Sequence, residues 1–416
     1  MFAACLTIFL LASITRAFET NCTLPTESTA YVSSPNVRGT TDILWTCLAT
    51  IFACTYTVLH LNVPEQRLGR DQGWKGDLRW RFQALLTNVK WAVVTVIAPE
   101  LTLILSCEQL MDARSHLRAF QAKGLCTDQR LTLSHLFYAN MGGFALLYHT
   151  TDGDEEVWHL NGQSLITVCE SGEVDPKALI SADDLSDKSK SDVVGKCLAV
   201  LQIGYFLVAI LERAAASLVV SQLELGVCGF VGCSIAIYGA CFHKPKSVQT
   251  VTIIKRYTEH IPEGVMKMIE DTSDGRGGWM RSQYVSGNRV RNDAAHSGPY
   301  NESYIILPLI AIALGGVHLA GWCLSFPSAV DQGIWRGASI ASMVALPLFM
   351  AAAYLGDIVE ERSMLDWISV QMCLLFYIMY AVSRLALMVE MFRCLFYLPP
   401  DAFKATSWAM SIPHIG

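Results

Sequence analysis

The sequence predicts an all-α protein: a polytopic transmembrane bundle of about eight helices behind a cleaved N-terminal signal peptide. Three observations predict it. Apolar runs long enough, or nearly so, to cross a hydrocarbon core of about 30 Å recur along the chain. Only 16% of the residues are charged and 52% are hydrophobic, against about 25% charged in an average soluble domain. The N-terminus, "MFAACLTIFLLASITRAFETNCT", opens on an apolar stretch of signal-peptide length that ends in Thr15, Arg16 and Ala17, of which Thr15 and Ala17 are the small residues that suit a signal peptidase.

Taken in order, residues 1–17 read as a signal peptide. With no basic residue before the apolar stretch and Arg16 beside the cut, a retained anchor is the alternative; both routes lead into the secretory pathway, and the expected location is the endoplasmic reticulum membrane. Apolar runs then fall near 42–62, 89–107, 131–149, 196–216, 218–241, 303–325, 334–355 and 367–397. They divide the chain into five helices over 18–241 with an acidic loop at 150–195, a long cytosolic loop at 242–302, and three helices over 303–416. The third run, "LTLSHLFYANMGGFALLYHT", is interrupted by His135, Asn140 and Gly142–Gly143, so a re-entrant segment is the alternative there.

Arg67, Arg70, Lys75, Arg79 and Arg81 after the first run place that loop in the cytosol by the positive-inside rule. Eight crossings then put both termini of the mature chain in the lumen. Arg114, Arg118, Lys123 and Arg130 fall on the lumenal side of this count, against the rule. Two sequons, at Asn21 and Asn301, are candidate glycosylation sites, and only Asn21 faces the lumen in this topology. The stretch 271–300 is rich in Gly, Ser and Asn without periodicity and reads as irregular. The net charge of −6 is spread along the chain, which excludes a nucleic-acid partner. The 14 cysteines scatter without paired spacing and read as small buried packers rather than metal ligands. Gly226, Gly229 and Gly232 give the fifth run a small-residue face for close helix approach.

Charged groups within apolar runs are functional candidates, because each is costly there. They are Glu100, Glu212, Arg213, Glu224, Asp357, Glu360, Arg384 and Glu390. Arg384 and Glu390 stand six apart, off a common helical face, which predicts partners on other helices. Glu100 leads the set because Pro99 precedes it: proline removes a backbone donor and kinks the helix. An unpaired carboxyl there would stay protonated and act as a general acid; a structural acid bonded to a histidine or arginine is the competing reading. His60, His135 and His318 are its candidate partners. The dense aromatics of the runs, among them Trp91, Phe137, Tyr138, Tyr205 and Tyr380, pack the core, or line a cavity and stabilise a cation through their π faces. "DDLSD" (183–187) and "DGDEE" (152–156) imitate the acidic motifs of prenyl chemistry, but both lie in a polar loop where acidic runs usually stay solvated. No phosphate loop, HExxH or GxSxG is present.

"RGTTDILWTCLATIFACTYTVLHLNVP", "VIAPELTLIL" and "LTLSHLFYANMGGFALL" resemble the fungal membrane-bound terpene cyclases of meroterpenoid pathways, of the ascofuranone and macrophorin type. The resemblance covers most of 38–149 and, more loosely, the last three runs. It implies cyclisation of a farnesyl-type chain on a polyketide-derived ring, started by protonating a terminal alkene or epoxide. No diphosphate leaves, so no magnesium or other cofactor is implied. The implied partners are a lipophilic prenylated aromatic or quinol substrate, the bilayer and other enzymes of the pathway. An acid often stands in that family where this chain has Asn140, so the proton must come from elsewhere: Glu100 first, then Glu224 and Asp357, with His135 and His318 as orienting partners. A transporter or exporter of an apolar metabolite is the runner-up, and a non-catalytic receptor or scaffold the third reading.

Overall fold

The computed structural model describes residues 24–34, 37–68, 71, 73–125, 131–150, 153–189, 193–273, 290, 292, 303–359 and 363–405. The expectations for 1–17, Asn21, Asn301 and most of 271–300 lie outside them. In chain order the elements are α1 (Thr40–Val58), α2 (Trp74–Ile97), α3 (Pro99–Ala122), α4 (Leu133–Asn140), β1 (Phe144–His149), β2 (Glu155–Leu160), α5 (Gly162–Glu170), α6 (Ala182–Lys188), α7 (Val193–Ala215), α8 (Gln222–Ala240), β3 (Thr252–Arg256), α9 (Glu263–Ser273), α10 (Ser303–Gly315), α11 (Ala329–Ile358) and α12 (Met364–Cys394). A 3-10 turn over Gly316–Gly321 continues α10. The protein is a helical membrane bundle with a small α/β lobe at one end.

Five helices, α1, α7, α8, α11 and α12, are long and apolar enough to cross a membrane, and the stretch Pro308–Gly321 is a shorter apolar segment. The expected second run is not one straight span. Proline has no N–H and suits the first position of a helix; Ala98 leaves helical geometry at φ −135° and ψ 65°, Pro99 restarts the helix, and α2 meets α3 at 109°.

The expected third span, 131–149, is a correction. Gly142, at φ +77°, ends α4, and the chain turns into β1. There Phe144 and Leu146 enter the main core of the lobe while Ala145 and Leu147 pack on the other side with Val157. A strand buried on both faces reads as an unbroken apolar run, which periodicity cannot distinguish from a buried helix. β1 is the centre of a three-stranded sheet, antiparallel to β2 and parallel to β3, so the fold is not wholly α.

Contacts between helix ends show how the bundle is threaded. At one end Thr29 pairs with Leu398, the Arg38 N–H donates to the Phe403 carbonyl at 3.0 Å, and Gln222 Nε2 donates to the Ser325 carbonyl at 2.6 Å. At the other, the Val63 N–H donates to the Met141 carbonyl at 3.1 Å, and His60 Nδ1 meets the Lys244 carbonyl at 3.2 Å. The bent pair begins and ends at this second, lobe end: Leu68, just before α2, packs against Ala145 and Leu147, and Ala113 and Phe120 of α3 lie in the lobe core. α2–α3 therefore enters the bundle and turns back. That carries Arg114, Arg118 and Lys123 to the same end as the loop after α1, removing the conflict with the positive-inside rule that a full crossing creates.

Candidate functional site

Breaking a helix leaves the last carbonyls of one half and the first N–H groups of the other unpaired. At the α2–α3 break one side chain serves both halves. Arg384 of α12 donates through Nε to the Ile97 carbonyl at 3.0 Å and reaches Glu100 Oε1 through Nη1 at 3.2 Å. The cation sits at the negative end of α2 and the carboxylate in the first turn of α3, both as the helix dipoles prefer. Tyr380, one turn earlier on α12, donates its hydroxyl to Glu100 Oε2 at 2.9 Å. His318 joins through Nε2, 3.5 Å from Arg384 Nη1, while its Nδ1 faces the Gly315 carbonyl at 3.3 Å; these partners place the proton on Nδ1. The Trp335 indole donates to the His318 carbonyl at 3.1 Å and holds the turn in place. Glu100 and Arg384 side chains are only 5% and 7% exposed, and Tyr380 and Arg384 stand near the middle of α12, so the cluster lies at mid-depth.

A separate cavity lies in the crook of α2 and α3. It encloses about 40 Å³ and is lined by Trp91 and Thr95 of α2, Thr102, Leu105, Ser106 and Gln109 of α3, and Val58, His60, Cys241 and Lys244 among others. About 10–15 Å³ suffices for one water, so it holds a few water-sized groups and not a folded farnesyl chain. At about 100° per residue, Thr102, Leu105, Ser106 and Gln109 share one face of α3 and Glu100 leaves from the opposite one. Cavity and charge cluster are neighbours on either side of the break, not one chamber. Trp91 is its one aromatic lining residue, so the expected aromatic cage is not formed there.

Of the candidate residues, Glu100 and His318 come together, through Arg384. Glu100 is not the unpaired acid the sequence suggested. Glu224 is elsewhere: it closes the N-terminus of α8 by accepting from the Ser221 N–H at 2.9 Å and hydroxyl at 2.8 Å, and it pairs with Arg38. His135 lies in the lobe, where Nδ1 accepts from the Thr132 N–H at 3.1 Å and Nε2 donates to the Ile180 carbonyl at 2.9 Å; burial pushes its pKa down. Asp357 stands in the last turn of α11 with its side chain outside the described residues. Arg213 neither snorkels nor finds an acid: its guanidinium donates to the Val219, Asp401, Ala402 and Lys404 carbonyls and holds the C-terminal segment. "DDLSD" forms α6, capped by Ser181, and Glu156 of "DGDEE" accepts from the Tyr148 hydroxyl at 2.7 Å. Among the described residues no group of acidic, histidine and cysteine side chains could hold a metal ion.

The reading of the sequence passed over Lys244 and Gln109. A lysine just after an apolar run reads as an interface charge, and only the folded chain puts it 2.8 Å from Gln109 Oε1.

No curated protein and no solved structure matches the chain. The profile of a family described as of unknown function (DUF8562) matches residues 5–276, a stretch that takes in Glu100, the cavity helices and the lobe and ends before His318, Tyr380 and Arg384. With well over half of its length matched, the chain belongs to that family.

Proposed function

We propose that this protein is an integral membrane cyclase that closes the prenyl chain of a lipophilic aromatic or quinol, started by proton transfer from Glu100 to a terminal alkene or epoxide. The observation that carries the reading is a carboxyl at mid-depth, at the apex of a helix break, hydrogen-bonded to a phenol. The likeness of 38–149 to the fungal cyclases supports it as well. The proton taken up at the start is matched by one lost from the final cation, so mass is conserved and no cofactor enters. Once Glu100 has given its proton, Tyr380 and Arg384 hold the carboxylate that remains. Leu101, Ile104, Met350 and Met379 make the surroundings apolar and keep water from the cation. A prenyl tail reaches Glu100 by parting α3 from α12, so turnover requires the Glu100–Arg384 pair to open and the freed carboxylate to take up a proton from water before it gives one to the substrate. The lobe faces the cytosol in this reading, in an endoplasmic reticulum membrane.

The test is to incubate microsomes containing the protein with a linear farnesylated phenol or quinol, with and without its terminal epoxide, beside Glu100→Gln and Tyr380→Phe. A new isomer, seen by retention time and proton spectra and absent with Glu100→Gln, supports the cyclase; its absence with folded wild type sinks it. One observation favours transport instead: an intramembrane ion pair at a helix break joins two elements that could move apart, and transporters build substrate and ion sites at such breaks. Proton-dependent flux of an unchanged substrate would select that reading.

A further inference from the structure

The cavity in the α2–α3 crook has an imbalance of charge. Lys244 is 6% exposed, and its ammonium donates to Asn62 Oδ1 at 3.1 Å and Gln109 Oε1 at 2.8 Å. That uses two of its three donors and leaves one at the cavity wall. Lys246, also buried, donates to the Tyr56 carbonyl at 2.6 Å and lies 4.3 Å from the centroid of the Tyr56 ring. Among the described residues Lys244 has no carboxylate within ion-pair distance, and His60 and Cys241 are the other titratable groups lining the wall. His60 adds no charge, because burial and then Lys244 and Lys246 pull its pKa to about 3. Burial likewise draws Lys244 down to about 8. A buried cation without a counter-charge is costly, and the same field favours an anion in the cavity.

The remaining walls say which anion. The Thr95 and Ser106 hydroxyls donate to carbonyls of their own helices, both at 2.8 Å, so Lys244 is the one charged donor left for a ligand beside the amides of Gln109 and Asn292. One positive charge and little space suit a carboxylate, with its single negative charge, better than a larger phosphate dianion. Trp91, Leu105, Val58 and Leu59 supply an apolar wall with a flat ring. Lys244 lies just beyond the end of α8, where the bundle passes from its apolar part to the lobe, the depth at which an amphipathic molecule keeps its polar end. We propose that this cavity binds the carboxylate of an amphipathic aryl acid, with Lys244 as counter-ion and Trp91 against the ring. The proposal deepens the reading above, by naming the head group of the substrate, and rests on it only for the prenyl nature of the tail.

The test uses the full chain in phosphatidylcholine nanodiscs at neutral pH, with empty nanodiscs subtracted, and 4-farnesyloxybenzoic acid and its methyl ester as probes. The acid is expected to bind at least about tenfold tighter than the ester. Lys244→Gln should reduce the ratio to within about twofold and Lys244→Arg should keep most of it. Equal binding by the wild type, or a preference that survives Lys244→Gln, overturns the site. The wild-type comparison decides by itself if the variant does not fold. Displacement of the acid by phosphatidic acid at equal mole fraction would reassign the cavity to a lipid headgroup and overturn the choice of an aryl acid. Glu100→Gln should leave the ratio unchanged; a wild type that shows the ratio but forms no isomer sinks only the cyclase, and one that forms the isomer without the ratio sinks only this site.

Discussion

Replacing Arg384 by Met removes one partner of a buried ion pair and leaves the other in place. Glu100 would keep the Tyr380 hydroxyl and lose the guanidinium 3.2 Å away, and the Ile97 carbonyl would lose its donor at 3.0 Å. Breaking a buried pair in this way costs about 3–5 kcal/mol, because an uncompensated charge stays in a medium of low dielectric. Tyr380→Phe removes one interhelical hydrogen bond, and such bonds in a bilayer average about 0.6 kcal/mol and reach about 1.7. Arg384→Met is therefore expected to cost several times as much as Tyr380→Phe. The double variant Glu100→Gln with Arg384→Met leaves no unpaired charge and should cost less than the sum of the two single changes. The assay is unfolding in mixed micelles at neutral pH, followed by loss of helical circular dichroism as the denaturing detergent is raised. If Arg384→Met lies within about 1 kcal/mol of wild type, or the double variant is additive, the pair is hydrated and the account of the break is wrong.

Arg213→Ala should release the C-terminal segment, because its donors hold the Asp401, Ala402 and Lys404 carbonyls; hydrogen exchange at 398–405 should rise, and Arg213→Lys should rescue little, since an ammonium lacks the planar fork. Gly143→Ala should destabilise the lobe by about 1–3 kcal/mol, because its Cβ would overlap the ring of Tyr138, which is fully buried and donates to the Thr250 carbonyl at 3.2 Å; lobe amide protection reads the effect. The Lys244 pKa, about 8 against an ordinary 10.5, means that between those values the unfolded chain holds more protons than the folded one. Stability therefore rises with pH across that window, by up to about 3 kcal/mol at 1.36 kcal/mol per unit. The neighbouring groups are Lys246, Cys241 and His60, and Lys244→Gln should flatten the rise in a pH series of unfolding curves.

Much of the bundle was legible because long apolar stretches with few charges have one stable solution in a bilayer. The runs at 42–62, 196–216, 218–241, 334–355 and 367–397 all became helices. Two glycines of the small-residue face work as expected: a Cβ on Gly226 would meet Met391, and Gly229 packs on Val317 and His318. The run at 131–149 misled because a strand covered on both faces looks as apolar as a span. The Pro99–Glu100 pair marked the right place, since a proline before an acid in an apolar run needs a local reason. Its partner was not legible: nothing in the local pattern around Arg384 names a carboxylate 284 positions earlier, and the six-residue spacing showed only that Arg384 and Glu390 do not pair with each other; Glu390 instead lies 3.9 Å from Arg393 on its own helix, against the expected partner on another.

The sequence by itself determined that this is a membrane protein and that Glu100 sits at an interruption, because hydropathy and the missing N–H of proline are local properties. Only the tertiary structure decided that the interruption is a 109° turn-back, that Arg384 and Tyr380 occupy the carboxyl, and that Lys244 is left at a cavity without a counter-charge. Those outcomes depend on which helices meet and at what depth, and that is settled by packing between segments far apart in the chain.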